Sequence, residues 1–368
     1  MIVLYVLSTT LVGCCALAAL APPRRPWPLA VAAFWVGLPV GELPFPALYW
    51  LAVTTVLADA GPLAMAWAGL VAVLLVVLVV RAARTPRVVG EALAAVGISA
   101  RPRVAWAAAL TAPFVRRARG VVRETAVRYG DDPLANLLDV YRPVGPVEGG
   151  RPVLVYFHGG SYSGGRRSRE ALPLFHRLVR RGWVCVSADY RLRPSARFGD
   201  HLSDAKRVLA WVGKEGPAYG ADAAKVFVAG GSAGAHLAAL TALTPNDPRA
   251  QGGFEEADTS VAGVVCLYGF YGRYWGDAGD ARGLPTSPPA ARLSGAPPFF
   301  VAHGEKDTVV PVGEARRFAG ALRKASVPVV YAELPGGQHG FDLFASVRFG
   351  AVADGVVAFL TWSAGNRR

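Results

Sequence analysis

The sequence predicts an α/β fold, in which helices cover both faces of a mainly parallel β-sheet and an N-terminal transmembrane helical region precedes it. Two observations support this prediction. After residue 120, short apolar runs alternate with segments of helical periodicity, which is typical of parallel sheets. Before residue 82, uncharged apolar runs are long enough to cross a bilayer. We therefore expect a transmembrane region at 1–82, a basic juxtamembrane segment at 83–119 and an α/β domain at 120–368.

About three spans are predicted in the N-terminal region, at residues 2–21, 29–58 and 62–80. The first has no charged residue and lacks the charged start of a signal peptide, so we interpret it as an anchor. Prolines and Glu42 interrupt the middle segment, which predicts either one kinked span or a re-entrant hairpin. The third ends in an uninterrupted run of leucine and valine.

The charge distribution indicates which side of the membrane the α/β domain occupies. Formal net charge is +13, and the stretch 81–130 holds ten arginines against two acids. Such a stretch next to a span favours an anionic lipid surface as partner, and no nucleic-acid-binding motif is present. With three spans, Arg24 and Arg25 fall on the same side, so the positive-inside rule predicts a multi-pass cell-membrane protein with its α/β domain in the cytoplasm. Two crossings by the middle segment would turn the domain outward.

Eight strands and five helices are predicted in the α/β domain. The strands are expected at 121–129, 135–141, 152–157, 183–187, 226–229, 262–267, 299–302 and 327–332, and the helices at 172–181, 202–214, 233–243, 313–324 and 351–362. We expect the first two strands at an edge of the sheet and the third at its centre. The segment 88–115 is expected either in the membrane interface or against the α/β domain.

The stretch 226–236 reads VFVAGGSAGAH, an apolar strand that leads at once into an alanine-rich helix. Between them stands a G-x-S-x-G pattern centred on Ser232. A turn this tight strains the central residue, and glycines on both sides let the two backbones approach each other. The pattern predicts that Ser232 is exposed as a nucleophile at the carboxyl edge of the sheet, where parallel sheets bind ligands.

The residues that follow other strands fit the same chemistry. His158-Gly-Gly-Ser-Tyr follows the third strand, and free N–H groups there suit a developing oxyanion. Asp307 and His339 follow the last two strands, so the chain order is serine, acid, histidine. His339 would take the Ser232 proton, and Asp307 would orient the imidazole. The candidate oxyanion donors are the backbone N–H groups of Gly159, Gly160, Ser161 and Ala233.

Other titratable residues compete for these roles. Glu305 and Asp342 are rivals to Asp307 as the acid, and His303 is the rival base. His176 and His201 lie on or before predicted surface helices and are expected to be solvated. The four cysteines have neither metal-binding spacing nor an obvious bridging partner, which fits a reducing compartment.

These residues resemble the α/β-hydrolase fold, and within it the bacterial esterases and lipases related to hormone-sensitive lipase and arylacetamide deacetylase. The resemblance covers about residues 120–364. It rests on five motifs in the expected order: HGGSY at 158–162, SADYRLRP at 187–194, GGSAGAH at 230–236, HGEKDTVVP at 303–311 and QHGF at 338–341. It implies a carboxylester hydrolase that acts on acyl esters and needs no cofactor or metal.

The chain also departs from that branch. Ser161 stands where a third glycine is common, so its N–H is a candidate to replace that of Gly159 as oxyanion donor. The stretch Ser195-Ala-Arg replaces the usual acidic residue after YRLRP. Aromatic residues supply a candidate apolar substrate pocket, with a packed aromatic cluster as the alternative. They are Tyr162, Tyr268, Phe270, Tyr271, Tyr274 and Trp275.

The sequence therefore predicts a membrane-anchored serine carboxylesterase or lipase that cleaves apolar acyl esters through an acyl-enzyme on Ser232. A small-molecule or lipid ester is the expected substrate. Two alternatives remain open. An amidase or formamidase could use the same three residues, since a triad does not distinguish esters from amides. A non-catalytic membrane protein could retain the fold for binding, although no triad member is missing.

Overall fold

An eight-stranded β-sheet forms the centre of the α/β domain. The computed structural model describes residues 2–58, 61–114, 117–146, 150–274, 282–288 and 292–365. The strands are β1 (Val121–Arg128), β2 (Leu137–Pro143), β3 (Arg151–Phe157), β4 (Val184–Ala188), β5 (Ala221–Gly231), β6 (Val264–Leu267), β7 (Phe299–Gly304) and β8 (Val329–Leu334).

The strand order is β1-β2-β4-β3-β5-β6-β7-β8. Strands β1 and β2 are antiparallel to each other, and β2 is antiparallel to β4, whereas every other neighbouring pair is parallel. The predicted mainly parallel sheet is therefore confirmed. The prediction of two edge strands was wrong for β2, which is hydrogen-bonded on both sides and buried from Leu138 to Tyr141. Only β1 of this pair lies at the edge.

The helices are α1 (Ile2–Leu20), α2 (Trp27–Glu42), α3 (Pro44–Ala58), α4 (Pro62–Ala82), α5 (Thr85–Ala94), α6 (Trp106–Thr111), α7 (Leu172–Val179), α8 (Phe198–Glu215), α9 (Ala233–Leu243), α10 (Gly313–Lys324) and α11 (Val347–Gly365). Helices pack on both faces of the sheet, because successive strand residues point to opposite sides. Val153 and Val155 join the cluster that contains α8, α9 and α10, and Leu154 and Tyr156 join the one that contains α7 and α11.

Helix α5 belongs to the second of these clusters. Val89 and Leu93 are fully buried together with Phe300 of β7. A Cβ atom placed on Gly355 would lie 2.3 Å from Cγ1 of Val89, so the absence of a side chain there allows the close approach of α11. Of the two placements considered for the segment 88–115, its first part thus lies against the α/β domain.

Three helices in the described residues are long and apolar enough to cross a membrane: Ile2–Leu20, Pro62–Ala94 and Val347–Gly365. The last of these is mostly buried inside the α/β domain. Helices α2 and α3 form a pair bent by 80° that passes the same test when taken together, so up to four segments qualify. This bend lies within the segment where the sequence predicts a kink or a hairpin.

The N-terminal helices have a definite relative arrangement. Tyr5 near the start of α1 is hydrogen-bonded to Thr55 near the end of α3 at 2.9 Å, so these two helices run antiparallel. Arg81 at the end of α4 donates to the carbonyl of Leu20 at the end of α1, so α1 and α4 finish at the same level. Helix α2 crosses α1 at that level, where a Cβ on Gly37 would lie 3.1 Å from the nitrogen of Ala19.

Candidate active site

Ser232 lies on the tight turn between β5 and α9. Its backbone has φ 53° and ψ −117°, a conformation that residues with a side chain rarely adopt. The flanking glycines are required by packing. A Cβ on Gly230 would lie 2.3 Å from the carbonyl of Gly234, and a Cβ on Gly234 would lie 2.0 Å from the carbonyl oxygen of Phe157. The fold therefore places a strained serine at the carboxyl edge of the sheet.

Asp307 and His339 lie on the loops after β7 and β8, and the structure brings them together. His339 Nδ1 is 2.8 Å from Asp307 Oδ2, and the other Asp307 oxygen accepts hydrogen bonds from the N–H groups of Val309 and Val310. Both side chains are buried. Burial raises the pKa of the Asp307 carboxyl, but the opposing effects of His339 and His303 are larger and lower it to about 2. The carboxylate is therefore ionised wherever the histidine can act as a base.

The rival residues have other partners. Glu305 accepts a hydrogen bond from the Gly336 N–H at 3.1 Å. Asp342 accepts hydrogen bonds from the hydroxyls of Tyr156 and Tyr268. His303 is fully buried, with Nε2 2.9 Å from the carbonyl oxygen of Val310 and 3.2 Å from Asp307 Oδ2. His303 and His339 thus both contact Oδ2 of Asp307.

The loop after β3 differs from the expectation at one of its three candidate oxyanion donors. The Gly159 N–H already donates to Glu170 Oε2 at 2.8 Å, so it is not free for a substrate. Among the described residues, the N–H groups of Gly160, Ser161 and Ala233 have no hydrogen-bond acceptor. Gly160 has φ +117° and Ser161 has φ 55°, and this twisted backbone turns successive N–H groups out of the loop.

Glu170 was not found from the sequence, because a single acid within RRSREA matches no motif. Its Oε2 also accepts from the Tyr156 hydroxyl at 3.1 Å, and that hydroxyl lies 2.7 Å from Asp342 Oδ2. One hydroxyl has one proton to donate, so Tyr156 cannot satisfy both carboxylates at once. Burial and the neighbouring Asp342 raise the pKa of Glu170 to about 8. At neutral pH this pair of carboxyl groups therefore holds a proton beside the candidate site.

The candidate pocket aromatics separate into two groups. Tyr268 lies at the site, with its ring centroid 4.6 Å from that of His339. Tyr162 is hydrogen-bonded to His236 Nδ1 at 2.8 Å, and Tyr271 stacks on Phe318 at 4.2 Å; both are buried in packed clusters. Phe270 is partly buried, and its ring centroid is 5.9 Å from that of His236.

Two further aromatics complete the set of candidate pocket residues. Tyr274 is buried and packs against Phe198, so it also belongs to the aromatic cluster. Trp275 lies outside the described residues.

The expectation that His176 and His201 are solvated was wrong. Both are buried, and burial lowers the pKa of each imidazole to about 4. His201 Nδ1 is 2.7 Å from the carbonyl oxygen of Arg191, and its ring stacks on Tyr162 at 4.7 Å. These neutral histidines are part of the core. In the described residues, no three His, Cys, Asp or Glu side chains are grouped so as to hold a metal ion.

Helix α2 packs directly on the candidate site. The Phe34 ring meets that of His339 edge-on with centroids 5.9 Å apart, and Thr308 Oγ1 donates to the carbonyl of Ala30 at 3.0 Å. At the end of the helix, the buried Glu42 carboxylate is paired with Arg348 of α11. The sequence does contain a signal for this contact. Glu42 is one of two acids among the first 82 residues, and an acid in an apolar helix indicates a buried partner.

A serine on a strained strand-to-helix turn, followed by an aspartate and a histidine on later strand-end loops of a mainly parallel sheet, defines the α/β-hydrolase class. Comparison with known proteins agrees with this class. The BD-FAE family profile matches residues 138–272. The probable carboxylic ester hydrolase LipM of Mycobacterium tuberculosis is 40% identical over 292 residues, which cover 73% of this chain and 68% of LipM. The chain belongs to the α/β-hydrolase esterase family and is a carboxylic ester hydrolase.

Two further proteins define the extent of the likeness. Esterase LipQ of the same organism is 40% identical over 266 residues, which cover 66% of this chain and 63% of LipQ. The butyrate-bound esterase Est2 of Thermogutta terrifontis is 26% identical, with a TM-score of 0.54 over 66% of this chain and 94% of that chain. The chain thus spans about two thirds of the length of LipM and of LipQ.

Proposed function

We propose that this protein is a membrane-anchored serine carboxylesterase or lipase, which hydrolyses apolar acyl esters through an acyl-enzyme on Ser232. The observation that carries the proposal is the 2.8 Å contact between His339 Nδ1 and Asp307 Oδ2, on loops at the same carboxyl edge of the sheet as the strained Ser232 turn. An aspartate bound to Nδ1 fixes the imidazole tautomer and leaves Nε2 as the base. The identity of the relatives as carboxylic ester hydrolases supports the same reaction.

The reaction then follows in two halves. The Ser232 oxygen attacks the ester carbonyl carbon while His339 takes its proton, and the carbonyl electron pair moves to the oxygen. The unpaired N–H groups of Gly160, Ser161 and Ala233 stabilise that oxyanion. As the oxyanion collapses, the bond to the alcohol breaks, and the alcohol leaves with the proton from His339. Water repeats the sequence on the acyl-enzyme and releases the carboxylic acid.

The helical region supports a membrane location. Helices α1, α3 and α4 pack together through a buried apolar cluster, and many large apolar side chains of α1 and α4 are exposed on the outside of this group. Since α1 and α4 finish at the same level, Arg24, Arg25 and Arg81 lie on one side. The positive-inside rule assigns that side, with the α/β domain, to the cytoplasm. A lipid-derived or membrane-partitioned ester is then the expected substrate, at an anionic lipid surface.

Fluorophosphonate labelling of membrane fractions tests the proposal. We expect the full chain to take the label, and Ser232→Ala and His339→Ala to lose it. Ser195→Ala removes an exposed serine outside the site and should label like the wild type. A folded wild-type protein without label, or equal labelling of Ser232→Ala, would show that Ser232 is not the nucleophile. Turnover of paired ester and amide substrates with the same acyl group then decides between the esterase and an amidase.

A further inference from the structure

One stripe of helix α2 faces the proposed catalytic loops. Ala30, Phe34, Leu38 and Glu42 follow each other at intervals of four residues, which places them on one side of a helix. All four are buried, whereas Trp35, the neighbour of Phe34, is 67% exposed. The stripe therefore points into the protein and the opposite side of the helix does not.

Each residue of the stripe contacts a different part of the site. The Ala30 carbonyl accepts from Thr308, which follows Asp307 directly. Phe34 packs on the His339 ring, and Leu38 Cδ2 lies 3.7 Å from the position of a Cβ on Gly340. Glu42 is paired with Arg348 and accepts from Ser346 Oγ at 2.7 Å. These contacts fix α2 over the acid and histidine loops along its whole length.

The reaction mechanism indicates which part of a bound ester lies next to this stripe of α2. His339 must donate its proton to the oxygen of the departing alcohol, so that oxygen lies within hydrogen-bond distance of the imidazole. The group attached to this oxygen is then next to whatever flanks the imidazole. Tyr268 flanks the ring at 4.6 Å and Phe34 at 5.9 Å. The carbonyl oxygen, in contrast, points to the N–H groups of Gly160, Ser161 and Ala233.

We infer that α2 forms the wall of the alcohol side of the substrate site, and that Phe34 determines specificity for esters with an extended apolar alcohol group. This inference rests on the proposed function, since it takes His339 as the acid that protonates the alcohol. It assigns a role in substrate selection to a helix of the apolar N-terminal region, outside the part of the chain that matches the BD-FAE profile.

The reaction order makes the inference separable from a general structural effect. The alcohol leaves when the acyl-enzyme forms, so a contact between Phe34 and the alcohol changes how acylation depends on the alcohol, whereas its contact with His339 affects all esters alike. The experiment uses the detergent-solubilised full chain and two ester series. In one, butyrate is esterified with ethyl, butyl or octyl alcohol; in the other, acetate, butyrate or octanoate is esterified with p-nitrophenol. Deacylation is followed after acylation by a p-nitrophenyl ester.

For Phe34→Ala we expect the ratio of kcat/KM for octyl over ethyl butyrate to fall about tenfold, as for the loss of one apolar contact in a pocket. The acyl-chain profile should not change, and any slower deacylation caused by the lost contact with His339 affects octyl and ethyl butyrate alike, so it cancels in this ratio. Phe34→Leu keeps an apolar side chain and should retain most of the preference. Trp35→Ala, on the exposed side of the same helix, should leave both profiles unchanged.

An unchanged alcohol profile in Phe34→Ala and Phe34→Leu would overturn the inference, as would an equal shift in Trp35→Ala. An equal change in the acyl-chain profile would also overturn it, because the side chain would then act on the acyl half or on the whole fold. Fluorophosphonate labelling of the same samples separates the two proposals. Labelled Phe34 variants with a wild-type alcohol profile contradict only the role of Phe34, whereas an unlabelled wild type contradicts the esterase mechanism itself.

Discussion

Ser232 and His339 are held in place by different parts of the chain. The serine turn is packed by close neighbours in the sheet, where Gly230 meets Gly234 and Gly234 meets the Phe157 carbonyl. The histidine loop is packed from outside the sheet, by Phe34 of helix α2. The nucleophile therefore depends on a short local motif, and the base depends on a helix from the opposite end of the chain.

This difference explains why the serine turn has a recognisable sequence pattern while the helix that packs on the histidine has none. A glycine that cannot be replaced leaves a visible pattern, because any Cβ would enter backbone atoms. A helix that packs through one aromatic ring and one ion pair leaves no such pattern. Substitutions in the serine turn and in helix α2 should therefore affect stability and turnover differently. The following predictions test that contrast.

The largest effect is expected for Gly234→Ala. Its new Cβ would lie 2.0 Å from the Phe157 carbonyl oxygen, so α9 must move away from β3. We expect a loss of about 3 kcal/mol or more in the free energy of unfolding and at least about 100-fold slower ester turnover, measured by thermal unfolding and p-nitrophenyl ester assays. Gly213→Ala, at an exposed position of α8 with open space around it, should cause no loss of stability. Wild-type turnover in Gly234→Ala would contradict the packing argument.

The second prediction concerns the other half of the comparison. Glu42→Ala leaves the fully buried Arg348 guanidinium without its carboxylate, which should cost about 3–5 kcal/mol. Thermal unfolding in detergent measures this loss. Replacing both partners, as Glu42→Met with Arg348→Met, should recover most of the stability because no unpaired charge remains. Glu91→Ala breaks an exposed pair with Arg87 and serves as control, with no measurable change expected. Equal behaviour of Glu42→Ala and Glu91→Ala would show that the buried pair is dispensable.

The third prediction uses pH to probe the carboxyl pair beneath the oxyanion loop. The folded state raises the pKa of Glu170 to about 8 from an ordinary value near 4.5. Between these values the folded protein binds more protons than the unfolded chain, so this group makes stability fall as pH rises. Glu170→Gln removes the titration. Denaturant unfolding from pH 5 to pH 8 should therefore show that the stability of the wild type relative to the variant falls as pH rises, and parallel curves would contradict the assignment.

The smallest effect is expected for Thr308→Val, which removes the hydroxyl that donates to the Ala30 carbonyl. The same hydroxyl accepts from Gln338 Nε2 at 3.2 Å. Each hydrogen bond is worth about 1 kcal/mol, so chemical denaturation should show a loss of about 1–2 kcal/mol. Thr361→Val removes a hydroxyl that bonds only within its own helix, to Val357, and provides the matched control. A loss in Thr308→Val no larger than in the control would show that the contact between α2 and the acid loop adds nothing to stability.

The sequence predicted the sheet and its strand-end loops well, because each strand is a short apolar run and each site residue follows one. Ser232, Asp307 and His339 all occupy such positions. Strand order was harder to predict at β2, where pairing with both β1 and β4 is a tertiary property. The buried histidines were missed for a related reason, since periodicity shows which residues share a helix face but not which helix has both faces covered.

The contacts around the site were mostly invisible in the sequence. Glu170 holds the Gly159 N–H across a turn of eleven residues, and nothing in the composition of that turn indicates it. Phe34 is one of several aromatic residues in an apolar helix, and only its packing distinguishes it from the exposed Trp35. Glu42 is the exception, because a lone acid in an apolar segment predicts a partner even when the partner cannot be named.

The pairing of Glu42 with Arg348 has a consequence for how the protein is made and handled. The two residues are 306 positions apart, so the helix that carries the carboxylate emerges from the ribosome long before its partner exists. Until α11 docks on α2, Glu42 has no charged partner, and the loop that carries His339 is not covered by α2. A shortened chain that begins after the N-terminal helices would leave the Arg348 guanidinium without its carboxylate partner and the His339 imidazole uncovered. The N-terminal helices thus complete the packing around the candidate site, and experiments on the enzyme require the full chain.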